Sequence, residues 1–304
     1  MKRTFTLLLL LIMPFTLFSC NRRIGFKYVE GKVNIVATTT MIGDLAFEIG
    51  KENVSVTTLM QIGVDPHSFV PRPSVTKAIK EADLVLTNGL NLEAKMGKVL
   101  QVLDDKLIEL GNFLPEEDLI KDEYGEIEPH IWFDVNNWII ISEVLKDKLV
   151  ELDSGNKEAY LKNYNAYKEK LNQLDEYVIN KADTLDKEKR ILITAHDAFS
   201  YFGRRYDFEV LSIQGISTET EASAKDIKDL ATLIVEKKVK AIFLESSIPE
   251  NTIKSVIDAA KARGHNVVIG GTLYGDSLGN INSGADTYIN MVKRNIDIIV
   301  ESLG

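Results

Sequence analysis

The sequence contains few of the residues that build covalent or thiolate-based sites. Among 304 residues there are one cysteine and four histidines. A single cysteine excludes an intramolecular disulfide and any cysteine-based zinc site. Lysine and arginine number 36 against 45 aspartate and glutamate, so the formal net charge is −9. Nucleic-acid binding relies on clustered positive charge, and we therefore predict no nucleic-acid partner.

The chain also lacks an apolar run long enough to cross a bilayer, which takes about 20 residues. Its longest candidate, Leu7–Met13, follows Lys2 and Arg3 and precedes a small residue and Cys20. This order of basic, apolar and small residues is typical of a secretory signal. We predict a signal peptide over 1–19, of the lipoprotein type.

The one cysteine stands where cleavage of that signal is expected. The sequence Leu17-Phe18-Ser19-Cys20 resembles a bacterial lipobox, in which the cysteine is acylated and becomes the new N-terminus. We therefore expect a lipid on Cys20, a short polar leader over 20–31, and an extracytoplasmic protein anchored to a membrane, in the periplasm or at the cell surface.

After residue 31 the chain alternates short β-branched runs with amphipathic stretches, and it does so in two blocks. This pattern predicts an α/β fold with two lobes, each with a mostly parallel four-stranded sheet. The expected boundaries are 32–153 for the N-terminal lobe, 154–187 for a linking helix and 188–304 for the C-terminal lobe. The predicted strands are Val33–Thr38, Val54–Leu59, Leu84–Thr87, Leu107–Leu110, Ile191–Thr194, Phe208–Ile213, Ala241–Leu244 and Val267–Ile269.

One long amphipathic segment separates the two blocks. Between Asn156 and Asp186 there is no proline, and apolar or aromatic residues recur at helical spacing. A coiled-coil segment is one interpretation. The position between two α/β blocks favours a rigid helix that packs across both lobes. The recurring residues are Tyr160, Tyr164, Tyr167, Leu171, Leu174 and Val178.

Three of the four histidines, His67, His130 and His196, lie in turn-like contexts, and Asp276 lies between two glycines. Ligands of open parallel sheets bind beyond the carboxyl ends of strands, so these side chains can meet in a cleft between the lobes. Imidazole and carboxylate donors suit Zn²⁺ or Mn²⁺. Four protein ligands would leave no open position for water, which favours binding over catalysis.

Taken singly, a loop histidine is more often structural, and the wide spacing of these three matches no compact zinc motif. His265 follows Gly264 at a predicted helix end, and we expect it to serve the turn or to cap carbonyls.

Several short segments together resemble the solute-binding lipoproteins of zinc and manganese ABC importers, the TroA-like metal-receptor family. The resemblance covers the chain beyond the leader. Its segments are Val36-Ala37-Thr38-Thr39, Asp65-Pro66-His67, Pro129-His130-Ile131-Trp132, Ala195-His196-Asp197-Ala198-Phe199, Gln214-Gly215-Ile216-Ser217-Thr218 and Gly275-Asp276-Ser277-Leu278-Gly279.

The resemblance implies two α/β lobes joined by one long helix, with a metal ion buried between them. It implies His67, His130, His196 and Asp276 as the four ligands. It also implies delivery of the ion to a membrane permease. The chain has no GxxxxGK[ST] phosphate loop, so the ATPase would be a separate subunit. We expect the protein itself to be a monomer.

The choice of metal follows from the third ligand position. In the family, glutamate there accompanies manganese, whereas histidine occurs in zinc receptors and in some that take both metals. His196 therefore favours Zn²⁺, as does the Irving–Williams order. The acidic stretch Glu116–Glu128 has no histidine, unlike the histidine-rich loop of many zinc receptors, so Mn²⁺ stays the main alternative.

Two other functional classes remain open at this point. A secreted zinc-dependent hydrolase would need an open coordination position and a general base, for which Glu245 or Glu221 could serve. A surface adhesin with a metal-stabilised fold is the other, although no separate adhesive module is visible. We predict that the protein is not an enzyme.

Overall fold

The computed structural model describes residues 25–122 and 124–304. The predicted signal peptide and Cys20 lie outside these residues. Among the described helices, none is both long and apolar enough to cross a membrane.

A fully parallel sheet forms the first lobe, with strand order β2-β1-β3-β4. All five residues of the central strand β1 are buried, because β2 and β3 pair with its two edges and helices pack on both faces of the sheet. Helix α1 begins at a true cap, where Thr39 accepts a hydrogen bond from the Ile42 amide. The elements are β1 (Val33–Ala37), α1 (Thr40–Gly50), β2 (Val54–Thr58), α2 (Pro73–Glu81), β3 (Leu84–Thr87), α3 (Gly97–Leu100), β4 (Leu107–Glu109) and α4 (Val135–Leu152).

The predicted linking helix is α5, Lys157–Ala182. Its 26 residues extend about 39 Å at 1.5 Å per residue. It contacts α1 and α4 of the first lobe and two helices of the second, α6 (Ser200–Tyr206) and α9 (Tyr288–Leu303). It therefore packs across both lobes, as its position in the sequence indicated. All six residues of its predicted apolar stripe are buried.

The second lobe contains four strands, but they form two parallel pairs, β5-β6 and β7-β8. The adjacent strands β5 and β7 contact each other without a backbone ladder between the pairs, so the sheet differs in this detail from the continuous four-stranded sheet that we expected. The remaining elements are β5 (Ile191–His196), β6 (Glu209–Gln214), α7 (Ala224–Glu236), β7 (Ala241–Glu245), α8 (Asn251–Lys261) and β8 (Val268–Leu273).

Two strands extend at least two residues further than the sequence pattern predicted. β5 runs to His196 instead of ending at Thr194, so His196 is the last residue of a strand and not part of the following turn. β8 continues through Gly270 to Leu273. We expected the strand to end before the glycines. A Cβ at Gly270 would lie 2.7 Å from the Phe243 ring, so glycine allows the irregular pairing there.

A continuous apolar core joins the lobes through the linking helix. Trp138 of α4 stacks on Tyr288 of α9 with ring centroids 4.5 Å apart. The Tyr288 hydroxyl donates to the Trp132 carbonyl at 2.8 Å. Also between the lobes, the Leu278 amide donates to Thr40 Oγ1 at 2.8 Å. These contacts hold the second lobe against the first. They therefore also fix the positions of the strand ends that face the cleft.

Candidate metal centre

The structure brings all four predicted site residues together between the lobes. His67 lies in the loop after β2, and His130 precedes the short turn that leads into α4. His196 ends β5, and Asp276 lies in the loop after β8. All four side chains are buried. The first lobe thus supplies two of these residues and the second lobe the other two.

One donor atom from each of the four residues lies within 4.8 Å of the other three. His130 Nε2 is 3.1 Å from His67 Nε2 and 3.3 Å from His196 Nε2. Asp276 Oδ1 lies 3.4 Å from His130 Nε2 and 3.5 Å from His196 Nε2. In a tetrahedral zinc shell with bonds of about 2.0–2.1 Å, neighbouring donors are roughly 3.3–3.4 Å apart. The spacing of these atoms therefore fits a four-coordinate ion.

The position of His67 is set by the acidic residue two positions before it. The His67 amide donates to Asp65 Oδ1 at 2.8 Å. The other carboxylate oxygen, Oδ2, accepts a hydrogen bond from Thr218 Oγ1 of the second lobe at 2.6 Å. Pro66 stiffens the backbone between the two residues. Asp65 therefore links the backbone of His67 to the opposite side of the cleft.

His130 has the same arrangement on the first lobe, with Glu128 two residues before it. The His130 amide donates to Glu128 Oε1 at 2.9 Å, and the same oxygen contacts Nδ1 of the ring. Trp132 donates from Nε1 to the Gly275 carbonyl at 3.0 Å, next to Asp276. With Nδ1 occupied by Glu128, Nε2 is the nitrogen of His130 that faces the other three donors.

On the second lobe, Glu245 plays the corresponding part for His196. Its Oε2 lies 2.8 Å from Nδ1 of the ring. Asp276 is oriented by Ser247, whose hydroxyl donates to Oδ2 at 3.1 Å. Within residues 25–122 and 124–304, Asp276 Oδ1 makes no hydrogen bond, although it is buried. A buried carboxylate oxygen that faces three imidazole nitrogens is suited to a cation.

The buried carboxylates and imidazoles shift one another's pKa in opposite directions. Burial, aided by the neighbouring His130, lowers the pKa of His67 to about 4. Burial also disfavours the charged form of His130, but Glu128 and Asp276 outweigh it and raise its pKa to about 9. Burial opposes ionisation of Asp276 as well, yet His196 and His130 hold its pKa well below the usual value. The site thus favours a carboxylate anion with a compensating positive charge.

The two glutamates that orient the rings were not predicted in this role. The sequence does contain a pattern that points to Glu128 as a partner of His130. Glu128-Pro129-His130 has the same acid–proline–histidine order as Asp65-Pro66-His67. Glu245 was nominated only as a general base. Its Oε1 accepts two backbone amides and its Oε2 lies 2.8 Å from His196 Nδ1, a fully buried position that does not suit a base for activating water. The other nominee, Glu221, is exposed.

The fourth histidine has the structural role that we predicted. His265 Nε2 lies 2.7 Å from the Val239 carbonyl, in the second lobe, and the residue is not part of the cluster.

Beside the cluster, a cavity of about 570 Å³ separates the two lobes. Its walls include His67, Glu109, Glu126 and Glu219. The cavity therefore reaches the centre along the His67 side, and its acidic residues attract cations.

Comparison with known proteins agrees with this architecture. The sequence matches the family described as zinc-uptake complex component A, periplasmic (ZnuA), over residues 35–302, and the chain belongs to this family. It is 41% identical over 276 residues to the zinc-binding protein TroA of Treponema pallidum (strain Nichols), covering 90% of each chain. It is 36% identical over 296 residues to the manganese-binding lipoprotein MntA of Bacillus subtilis (strain 168), covering 96% of this chain and 97% of that protein.

Solved structures give the same result. The periplasmic zinc-binding protein TroA from Treponema pallidum superposes with a TM-score of 0.88 at 41% identity, covering 90% of this chain and 100% of that one. Fe(III)-bound YtgA from Chlamydia trachomatis has a TM-score of 0.83 at 25% identity, covering 90% of this chain and 98% of that one. The two-lobe α/β fold with a long linking helix is therefore shared with proteins of this class.

The two tryptophans provide a test of where an ion binds. Trp132 lies edge-on to His130 with ring centroids 5.2 Å apart, whereas Trp138 is stacked on Tyr288. A cation held by His130 adds charge beside Trp132, so we expect Zn²⁺ to change the fluorescence emission of the protein. The change should disappear in Trp132→Phe and persist in Trp138→Phe, with Zn²⁺ binding in both variants checked by chelator competition. A signal carried by Trp138 alone would contradict the position of the site.

Proposed function

We propose that the protein binds one divalent transition-metal ion outside the cytoplasm and delivers it to the permease of an ABC importer. The observation that carries this proposal is the convergence of four buried donor atoms within 4.8 Å of one another, of which four of the six pairs lie 3.1–3.5 Å apart, close to the spacing of a tetrahedral shell. His67, His130, His196 and Asp276 are the proposed ligands. A complete shell of protein ligands holds an ion without leaving a position for a reacting water, which suits transport and not hydrolysis.

We infer that Zn²⁺ is the preferred cargo, with Mn²⁺ as the alternative. Three imidazoles and one carboxylate in a tetrahedral arrangement are a common donor set for zinc, and the Irving–Williams order also favours it. The relatives support both metals, since one is named a zinc-binding protein and another a manganese-binding lipoprotein.

The partners follow from the class of protein. A streptococcal relative, 31% identical, is named a metal ABC transporter substrate-binding lipoprotein. We propose that this chain acts as a monomer and docks on a permease whose ATPase is a separate subunit, and that it has no enzymatic activity of its own. Nothing in the described cluster favours the hydrolase, and no observation favours the adhesin.

We also propose the organisation that the sequence indicated. Residues 1–19 would be removed as a signal peptide, and 20–31 would connect a lipid on Cys20 to the folded body. The body would comprise lobes over 32–153 and 188–304 and a linking helix over 154–187. Relatives named as lipoproteins support the anchor.

The anchor can be tested directly. In a bacterial host, the wild-type chain should incorporate labelled palmitate and sediment with membranes. Cys20→Ser removes the thiol that is acylated, so the label should be lost and the protein should leave the membrane fraction. Membrane association that survives Cys20→Ser without the label would refute the anchor.

The function itself is tested by metal titration and thermal unfolding. An ion that binds only the folded state raises its stability by about 2.7 kcal/mol at 100 times Kd, so Zn²⁺ should raise Tm by several degrees. Replacing His196 with Ala removes one of four ligands and should abolish most of that rise.

His265→Ala is the matched control, because His265 bonds a backbone carbonyl outside the cluster. Its Zn²⁺-dependent rise in Tm should equal that of the wild type. Equal loss in both variants, or a wild type that does not respond to Zn²⁺ or Mn²⁺, would refute the proposed function. Competition between the two ions in the same assay decides which is the preferred cargo.

A further inference from the structure

We propose that Glu245 is a positioning residue that sets metal affinity by fixing both the ring and the backbone of His196 relative to Asp276. The proposal rests on the function proposed above. It concerns a residue that touches a ligand and does not itself belong to the set of four donors.

The backbone contact of Glu245 replaces missing strand pairing. Glu245 is the last residue of β7, and β7 lies beside β5 without backbone hydrogen bonds between the two strands. Its Oε1 accepts hydrogen bonds from the amides of Ala195 and His196, both at 2.9 Å. These bonds fasten the end of β5 to β7 at the residue that carries the ligand. One buried carboxylate therefore does at this point what a ladder does elsewhere in a sheet.

The second oxygen of the same carboxylate holds the imidazole. Glu245 Oε2 lies 2.8 Å from His196 Nδ1, and both side chains are fully buried. An imidazole that ligates through Nε2 carries its proton on Nδ1 and needs an acceptor there. The carboxylate lies in ion-pair contact with this nitrogen and favours a proton there by its charge, so it restricts the rotation of the ring and leaves Nε2 to face the other proposed ligands.

The opposite side of the carboxylate meets the loop that carries Asp276. A Cβ added to Gly275 would lie 2.5 Å from Glu245 Oε2 and 3.6 Å from the His196 ring. Beyond Glu245, the Ser246 amide donates to the Leu273 carbonyl at 2.9 Å, and Ser247 holds Asp276 Oδ2. Glu245 is thus enclosed between two proposed ligands, and its position determines their separation.

Substitution by glutamine separates shape from hydrogen bonding. Glu245→Gln keeps the volume but has one terminal oxygen in place of two, and it removes the negative charge beside His196 Nδ1. If the amide oxygen accepts the two backbone amides, the NH₂ group lies against Nδ1, and if it turns the other way, the NH₂ group faces the two amides. We therefore expect Zn²⁺ affinity to fall about 10–100-fold, the usual range for loss of a group that orients a metal ligand.

Glu93→Gln is a matched control in the other lobe. Glu93 is also a buried glutamate that accepts backbone amides, those of Asn88 and Gly89, together with the Thr38 hydroxyl. It contacts none of the four proposed ligands in the described hydrogen bonds and ion pairs. The substitution should lower the Tm of the metal-free protein. It should leave Zn²⁺ affinity within about threefold of wild type, because residues that do not contact each other are coupled only weakly.

The experiment measures Zn²⁺ dissociation constants by chelator competition on the full chain, with the visible absorption spectrum of the Co²⁺-loaded protein as a report of ligand geometry. We expect Glu245→Gln to weaken binding and alter the Co²⁺ spectrum, and Glu93→Gln to do neither. Gly275→Ala, whose Cβ would displace the carboxylate, should also weaken binding and remains informative if Glu245→Gln does not fold.

Wild-type affinity and an unchanged Co²⁺ spectrum in Glu245→Gln would overturn the proposal. An equal loss of affinity in Glu245→Gln and Glu93→Gln would overturn it as well, because the effect would then follow from general destabilisation. A wild-type chain that fails to bind Zn²⁺ would instead refute the proposed function, so the two failures are distinguishable.

Discussion

The convergence of three imidazole nitrogens and one carboxylate oxygen in a buried position is the constraint on which the rest of the structure depends. Charged and polar groups are costly to bury unless they are paired or hold an ion. In this protein the cost is offset by carboxylates behind the rings, Glu128 for His130 and Glu245 for His196. They leave Nε2 of both rings and Asp276 Oδ1 facing one point, where a cation would balance the charge.

Because each lobe supplies half of the donors, the site exists only if the lobes are held in register. Helix α5 and the shared apolar core provide this register. The stacked pair Trp138 and Tyr288 and the hydrogen bond from Tyr288 to the Trp132 carbonyl connect the core to the segment that carries His130. The packing of the lobes therefore determines the geometry of the site. A shift between the lobes would move His130 away from His196 and Asp276, whose donor atoms lie 3.3 and 3.4 Å from its Nε2.

Local sequence patterns predicted the helices and strands well where one repeating pattern of apolar residues dominates the segment. The apolar stripe of α5 and the alternation of strands and helices are of this kind, and the four site residues were predicted from their places near strand ends together with the family resemblance. What could not be predicted depends on contacts between distant segments. The divided second sheet, the continuation of β8 through Gly270, and the role of Glu245 all arise from neighbours that no local pattern reveals.

The most direct test of the account is X-ray absorption spectroscopy of the protein loaded with one equivalent of Zn²⁺. We predict a four-coordinate ion with three imidazole nitrogens and one carboxylate oxygen, all at about 2.0–2.1 Å. A shell with fewer than three imidazoles, or with an open position filled by water, would contradict the claim that His67, His130, His196 and Asp276 enclose the ion completely.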